Sequence, residues 1–135
     1  MFFIKTQIKN IINFEFGSLE IKDGILIQYY HENTTVDMKK VGAMQKGIKK
    51  LTKEQNIPLL LIGKRGVQPT IEVRKYGSTE KANKYISAMA ILIIEGNIAH
   101  RLYGNMILTL DKRPMPSKLF VNKEKAIQWL SQYRK

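Results

Sequence analysis

The sequence predicts an α/β domain in which a parallel or mixed sheet has a cover of helices and begins with a β-hairpin. Three observations predict this class. Alternating apolar and polar residues flank Asp23-Gly24, uninterrupted apolar runs occupy residues 58–63 and 88–94, and segments with helical periodicity lie between and after these runs. Strands that alternate with helices are joined by crossovers that cover the sheet. The length of 135 residues suits one domain.

Residues 1–13 are predicted to form an N-terminal arm ahead of a single domain over residues 14–135. Isoleucines recur in the arm at helical spacing, at Ile4, Ile8, Ile11 and Ile12. This spacing predicts a short amphipathic helix, although β-branching at all four positions disfavours it.

The opening hairpin is predicted over residues 14–31. Apolar positions alternate over residues 14–21, with Gly17 at the position of a β-bulge. Asp23 and Gly24 suit a two-residue turn because both tolerate a positive φ. Residues 25–31 then form the antiparallel partner strand.

A surface helix follows the hairpin. Thr34 is placed to cap it, and Asp37 lies three residues later, near the positive end of the helix dipole. Lysines cover most of the helix except for one apolar face, formed by Val41, Met44, Ile48 and Leu51. Gly42 and Gly47 disfavour a helix, which indicates that a neighbouring backbone approaches closely at both.

Two buried strands are predicted in the middle of the chain. Residues 58–63 and 88–95 show no alternation, which is typical of strands covered on both faces. Short helical stretches are expected between them, over residues 69–76 and 78–85, separated by Gly77.

The last part of the chain predicts a helix, a strand and a second helix. A helix over residues 96–110 ends before Pro114 and Pro116. A short strand at residues 119–121 leads to Asn122, which caps the final helix. The apolar face of that helix consists of Ala126, Trp129, Leu130 and Tyr133.

The chain is strongly basic, with 23 Lys and Arg against 11 Asp and Glu and a net charge of +12. Residues 1–36 carry none of the excess, which is spread over the rest of the chain, and most of the cations are Lys rather than the Arg that reads bases and phosphates. We therefore interpret the charge as a solvated surface, with a nucleic-acid interface as the less favoured alternative.

The absence of Cys excludes disulfides, thiolate catalysis, iron–sulfur clusters and zinc fingers, and it fits a reducing cytoplasm. No apolar run approaches the roughly 20 residues of a membrane-spanning helix. We expect a cytoplasmic protein with no membrane span.

The sequence shows no catalytic or metal-binding constellation. His31 and His100 lack metal-ligand spacing, no Ser lies in a nucleophile elbow, and the three aspartates, Asp23, Asp37 and Asp111, are accounted for by a turn, a helix start and a loop. The prediction is therefore a protein that is not an enzyme and has no metal or cofactor.

The most suggestive segment is LLLIGKRG, in which a buried strand ends in the loop Gly63-Lys64-Arg65-Gly66. Ligands of open α/β sheets bind at the carboxyl ends of strands. Lys64, Arg65, Gln68 and Thr70 are thus the candidates for a ligand or anion site. The alternative is a mobile turn with solvated charges, because P-loop spacing is absent.

The second half resembles the small bacterial SpoIIAA-like, or STAS-like, proteins. The matching features are a Gly-Asn pair at Gly104-Asn105, a Pro-x-Pro loop at Pro114 and Pro116, and a short strand that ends in Phe120. The last is a terminal Ala-x-x-Trp-Leu helix with Ala126, Trp129 and Leu130. The resemblance implies a four- to five-stranded mixed sheet with helices mainly on one side. This fold is shared by anti-sigma-factor antagonists and by the lipid-carrying CRAL-TRIO group.

Classical antagonists of this family carry a phosphorylatable Ser or Thr after an Asp at the end of the third strand. This chain has Gly63-Lys64-Arg65-Gly66 there, and the nearest hydroxyl is that of Thr70, so we expect no phosphorylation switch of that type.

The leading hypothesis is a non-enzymatic STAS-like module that acts through contacts with an unidentified protein partner, or as a homodimer with the arm of residues 4–12 in the interface. The alternative is an anion-binding protein that takes a nucleotide, a lipid headgroup or nucleic acid at the loop Lys64–Thr70.

Overall fold

A computed structural model describes residues 10–93 and 113–134. Residues 1–9 of the predicted arm and the helix predicted over residues 96–110 lie outside the described residues, as do Gly104-Asn105 and His100. The described strands are β1 (Ile11–Phe14), β2 (Gly17–Lys22), β3 (Ile25–Tyr30), β4 (Thr35–Val36), β5 (Ile57–Gly63), β6 (Gln68–Pro69), β7 (Ile86–Ile93) and β8 (Ser117–Phe120). The described helices are α1 (Met38–Thr52), α2 (Ile71–Gly77) and α3 (Lys123–Ser131).

A mixed six-stranded sheet forms the centre of the fold, in the order β1-β2-β3-β5-β7-β8. Strands β1 to β3 pair antiparallel, whereas β3, β5, β7 and β8 run parallel to one another. The predicted α/β class and the opening hairpin are confirmed.

The sheet has one strand more than the resemblance implied, because β1 occupies part of the predicted arm. Ile11 and Ile12 lie in this strand rather than in a helix, in keeping with the β preference of branched side chains. Gly17 is not a bulge but the first residue of β2. A Cβ there would overlap the carbonyl oxygen of Tyr29, so glycine allows β2 to lie against β3.

Helix α1 begins later than predicted, because a short strand, β4, precedes it. Asp37, not Thr34, is the N-cap, and its Oδ1 accepts a hydrogen bond of 3.0 Å from the backbone N–H of Lys40. Thr34 cannot cap because the chain first forms β4, which pairs in parallel with β6 as a separate two-stranded sheet.

Two further predictions about helices are wrong. The segment from Ser78 to Tyr85 is not helical but consists largely of turns, held by Asn83, whose side chain donates to the carbonyls of Gly77 and Thr79. A neighbouring backbone was predicted to approach both glycines of α1 closely, and it does so at neither. A Cβ added to Gly42 would have no neighbour within 4 Å, and a Cβ added to Gly47 would meet side chains rather than backbone.

The sheet is buried on both faces. The first face packs against α1 and α2, around Leu19, Leu26, Met44, Leu59 and Ile91. The second face packs against α3, around Leu60, Ala88, Ala90, Ala126 and Leu130. Asn122 caps α3 as predicted, since its Oδ1 accepts from the backbone N–H of Lys125 at 2.9 Å. Two described helices thus cover one face and one covers the other, which explains the uninterrupted apolar runs of β5 and β7.

Candidate functional site

The predicted site residues Lys64 and Arg65 lie in the loop that follows β5. The Lys64 ammonium stands 5.3 Å from the ring centroid of Tyr29, a cation–π distance. The carbonyl oxygen of Arg65 accepts a 2.8 Å hydrogen bond from the N–H of Asn33. Gly66 has a φ of 74° and lies against Asn33. These contacts hold the loop to the segment that follows β3.

Gln68 and Thr70, the other predicted site residues, have structural roles. The N–H of Gln68 donates to the carbonyl of Thr34 at 3.0 Å, as part of the small sheet. The Thr70 hydroxyl accepts from the N–H of Val73 at 3.2 Å and caps α2. Tyr29, which Lys64 contacts, belongs to the second face of the sheet, whereas α2 lies on the first. The structure therefore does not bring the four side chains together.

A cavity of about 210 Å³ lies between the first face of the sheet and helices α1 and α2. Its wall is mainly apolar and includes Met44, Ile48, Leu59, Leu61, Met89 and Ile91. The loop of the predicted site borders this cavity through Gly63, Val67 and Pro69, which alternate with the predicted residues. A concave, mainly apolar space with a few polar groups is suited to an apolar ligand.

Two hydrogen-bonded groups of side chains interrupt the apolar wall. Gln28 donates from Nε2 to the Tyr30 hydroxyl at 3.2 Å. Burial raises the pKa of Tyr30 to about 12, although this hydrogen bond opposes the rise, so the phenol is neutral at physiological pH. Tyr76 donates to the side-chain carbonyl of Gln45 at 3.0 Å, and the Gln45 amide donates to the carbonyl of Ala82 at 3.3 Å.

The third polar group in the wall is the guanidinium of Arg113, which precedes β8. One of its terminal nitrogens donates to the carbonyl of Gly77 at 2.6 Å, and its Nε is buried without a hydrogen-bond partner. Burial lowers the pKa of Arg113 from its ordinary value. No described acidic residue forms an ion pair with it.

Sequence reasoning missed both the cavity and Arg113. No local pattern marks them, because the cavity depends on how α1, α2 and the two-stranded sheet are placed over β5 and β7. The only available signal was the position of the Lys64 loop at the carboxyl end of a central strand.

Within residues 10–93 and 113–134 the structure gives little support for a metal site or a membrane span. No group of three or more His, Asp or Glu side chains there could hold a metal ion. His31 is exposed and contacts the Tyr29 ring edge-on, with centroids 5.2 Å apart. None of the described helices is both long and apolar enough to cross a membrane.

These elements define an α/β domain with a SpoIIAA-like fold. One similar solved structure is the crystal structure of an uncharacterized protein from the DUF3478 family with a SpoIIAA-like fold, from Shewanella loihica PV-4. The two share 16% identity with a TM-score of 0.57, and the match covers 90% of this chain and 94% of that chain. This likeness shows the fold and confirms that part of the resemblance. Residues 19–134 match the family described as Domain of unknown function (DUF7793), so the chain belongs to that family. No curated protein matches the sequence.

Proposed function

We propose that the domain is a non-enzymatic binding module whose cavity takes a small apolar molecule. The observation that carries the proposal is the apolar space between α1, α2 and the first face of the sheet. Its position supports the proposal, because Gly63 and Val67 place it next to the carboxyl end of β5, where α/β sheets bind ligands.

The test is a titration of the full chain with N-phenyl-1-naphthylamine, an uncharged dye that becomes fluorescent in apolar surroundings. We expect saturable binding by the wild type. Val73→Phe, which adds bulk to a residue of the cavity wall, should weaken binding about tenfold, or by 1.4 kcal/mol. The matched control is Val121→Phe, at a position that is 76% exposed. Absence of saturable binding by folded wild type would refute the proposal.

Protein–protein contact is the second candidate function, and one specific observation favours it. Ile71, the first residue of α2, is 71% exposed, while Val73 of the same helix lines the cavity. A helix with one exposed apolar side chain and one in the cavity wall is suited to connect a bound ligand to a partner, in the manner of a STAS-like cytoplasmic regulator.

The simplest partner is a second copy of the chain, which light scattering after size exclusion would detect. The expected result is a dimer that Ile71→Glu converts to monomer, whereas Val121→Glu has no effect. A monomeric wild type over the whole concentration range would exclude the homodimer.

Anion binding by that loop has weaker support than the cavity. Lys64 faces Tyr29, and the Thr70 hydroxyl is already used as a helix cap. Both side chains therefore already have partners within the domain, which favours the cavity over the loop as the ligand site.

A further inference from the structure

Arg113 is a partly buried cation with few hydrogen-bond partners and no described acidic partner. Transfer of a guanidinium out of water is costly unless hydrogen bonds or an opposite charge replace the lost hydration. Arg113 has five N–H donors in a planar fork, of which one is given to the carbonyl of Gly77 and another, on Nε, is buried with no partner.

A structural role for Arg113, in which it binds the C-terminal end of α2, explains only part of its surroundings. A cation near the last carbonyls of a helix is favourable, and the 2.6 Å hydrogen bond to Gly77 serves that purpose. The same carbonyl, however, already accepts from the Asn83 amide at 2.9 Å. A neutral side chain therefore satisfies Gly77 without Arg113, and a structural role leaves the unpartnered Nε unexplained.

Among the described residues of the cavity wall, the charged side chains have one sign. The described residues of the wall include Arg113 and Arg74 and no Asp or Glu. Arg74 is exposed and therefore lies where the cavity meets solvent, whereas Arg113 is largely enclosed. Tyr30 adds no negative charge at neutral pH, because its pKa is about 12. The cavity thus combines a mainly apolar wall with a cationic group and complements a molecule with a hydrocarbon body and an anionic end.

We propose that the cavity binds an amphipathic monocarboxylic acid, with its hydrocarbon part against Leu59, Met89 and Ile91 and its carboxylate on the guanidinium of Arg113. This proposal rests on the proposed function and specifies the ligand of the same cavity. A carboxylate fits because it forms strong, charge-assisted hydrogen bonds with a guanidinium. Arg113 lines the cavity, and its terminal nitrogens carry more N–H donors than the one given to Gly77. The carboxylate would also neutralise the charge of Arg113.

The experiment compares three molecules that share one hydrocarbon chain and differ in the end group, namely octanoate, 1-octanol and octylammonium, by calorimetric titration of the full chain at neutral pH. We expect octanoate to bind about 10- to 100-fold more tightly than octanol, the range of a hydrogen bond to a charged group. Octylammonium should bind more weakly than octanol, because its charge repels Arg113.

Arg113→Met should remove the preference for octanoate, measured as the ratio of the octanoate and octanol affinities of the variant. Arg113→Lys, which keeps the charge but not the fork, should retain part of the preference. Arg134→Met is the matched control, since Arg134 is bound to the carbonyl of Asp23 and does not line the cavity.

Equal affinities for octanoate and octanol, or a preference that persists in Arg113→Met, would overturn the carboxylate proposal while the apolar cavity function stands. If folded wild type binds none of the three molecules and the naphthylamine dye also fails to bind, the proposed function itself is wrong. If Arg113→Met does not fold, the end-group comparison on wild type and Arg113→Lys still decides the proposal.

Discussion

Gly47 of α1 lies so close to Leu19 of β2 that a Cβ built on the glycine would be 2.7 Å from the Cδ1 of the leucine. Leu19 is fully buried in the core on the first face of the sheet. This contact determines how closely α1 approaches the sheet, because any larger residue at position 47 pushes the helix away from β2. Gly42, in the same helix, has no such neighbour.

The two glycines of α1 should therefore respond in opposite ways to alanine. Gly42→Ala should raise the free energy of unfolding by about 1 kcal/mol, because alanine is the better helix former and space is available. Gly47→Ala gains the same propensity but overpacks Leu19, at a cost of about 1 to 3 kcal/mol, so stability should fall. Urea denaturation measures both, and stabilisation by both substitutions would contradict the contact.

The N-cap of α1 should make stability depend on pH under acidic conditions. The hydrogen bond from the Lys40 N–H, with help from the Lys40 charge, lowers the pKa of Asp37 below its ordinary 3.8. A depressed folded pKa stabilises the protein above the ordinary value, and this contribution is lost as the pH falls through the lowered pKa. Asp37→Asn keeps the acceptor for the cap and should remove this part of the acid dependence, measured by thermal unfolding from pH 6 to about 2. An unchanged acid profile would argue against the cap.

Tyr30 should produce the opposite dependence at alkaline pH. Its folded pKa of about 12 lies above the ordinary 10, so the neutral phenol stabilises the protein below pH 10 and this contribution disappears as the pH approaches 12. The expected loss is about 2 to 3 kcal/mol.

Tyr30→Phe should abolish that part of the alkaline loss, at the cost of leaving the Gln28 amide without its acceptor. Tyr133→Phe, on the opposite face, is the control and should keep the wild-type profile. If both variants follow the same alkaline unfolding curve, the burial of Tyr30 is not responsible for the loss.

Packing of α3 on the second face should contribute a large part of the stability. Leu130 is fully buried, so Leu130→Ala should cost about 2 to 5 kcal/mol. Ile127→Ala, in the same helix at a partly buried position, should cost clearly less. Denaturant unfolding compares them, and equal costs would mean that α3 does not bury Leu130 against the sheet.

Features with a local cause were predictable from the sequence. The apolar runs of β5 and β7, the turn at Asp23-Gly24 and the cap at Asn122 each depend on a few adjacent residues, and the structure confirms them. Strand β1 was missed because the isoleucines before Phe14 fit a helical spacing. The pairing of β4 with β6 was missed because Thr35 and Gln68 are far apart in the sequence and neither strand has a local signature.

The candidate site was less predictable than the fold, because a cavity belongs to the arrangement of elements rather than to any of them. The residues of LLLIGKRG drew attention to the right end of β5. The charged residues of that loop, however, are not in the cavity wall. The more enclosed of the two cations in the wall is Arg113, a single residue in a segment with no sequence pattern.

Helix α3 is the last described element along the chain, yet among the described helices it alone covers the second face of β5 and β7. On the ribosome, both strands emerge before the residues that will cover Leu60 and Ala90. Until Leu130 has been synthesised, the nascent chain presents an apolar sheet surface that can associate with other chains. A product terminated before Asn122 would lack α3, and the apolar residues of β5 and β7 that α3 packs against would lose that cover.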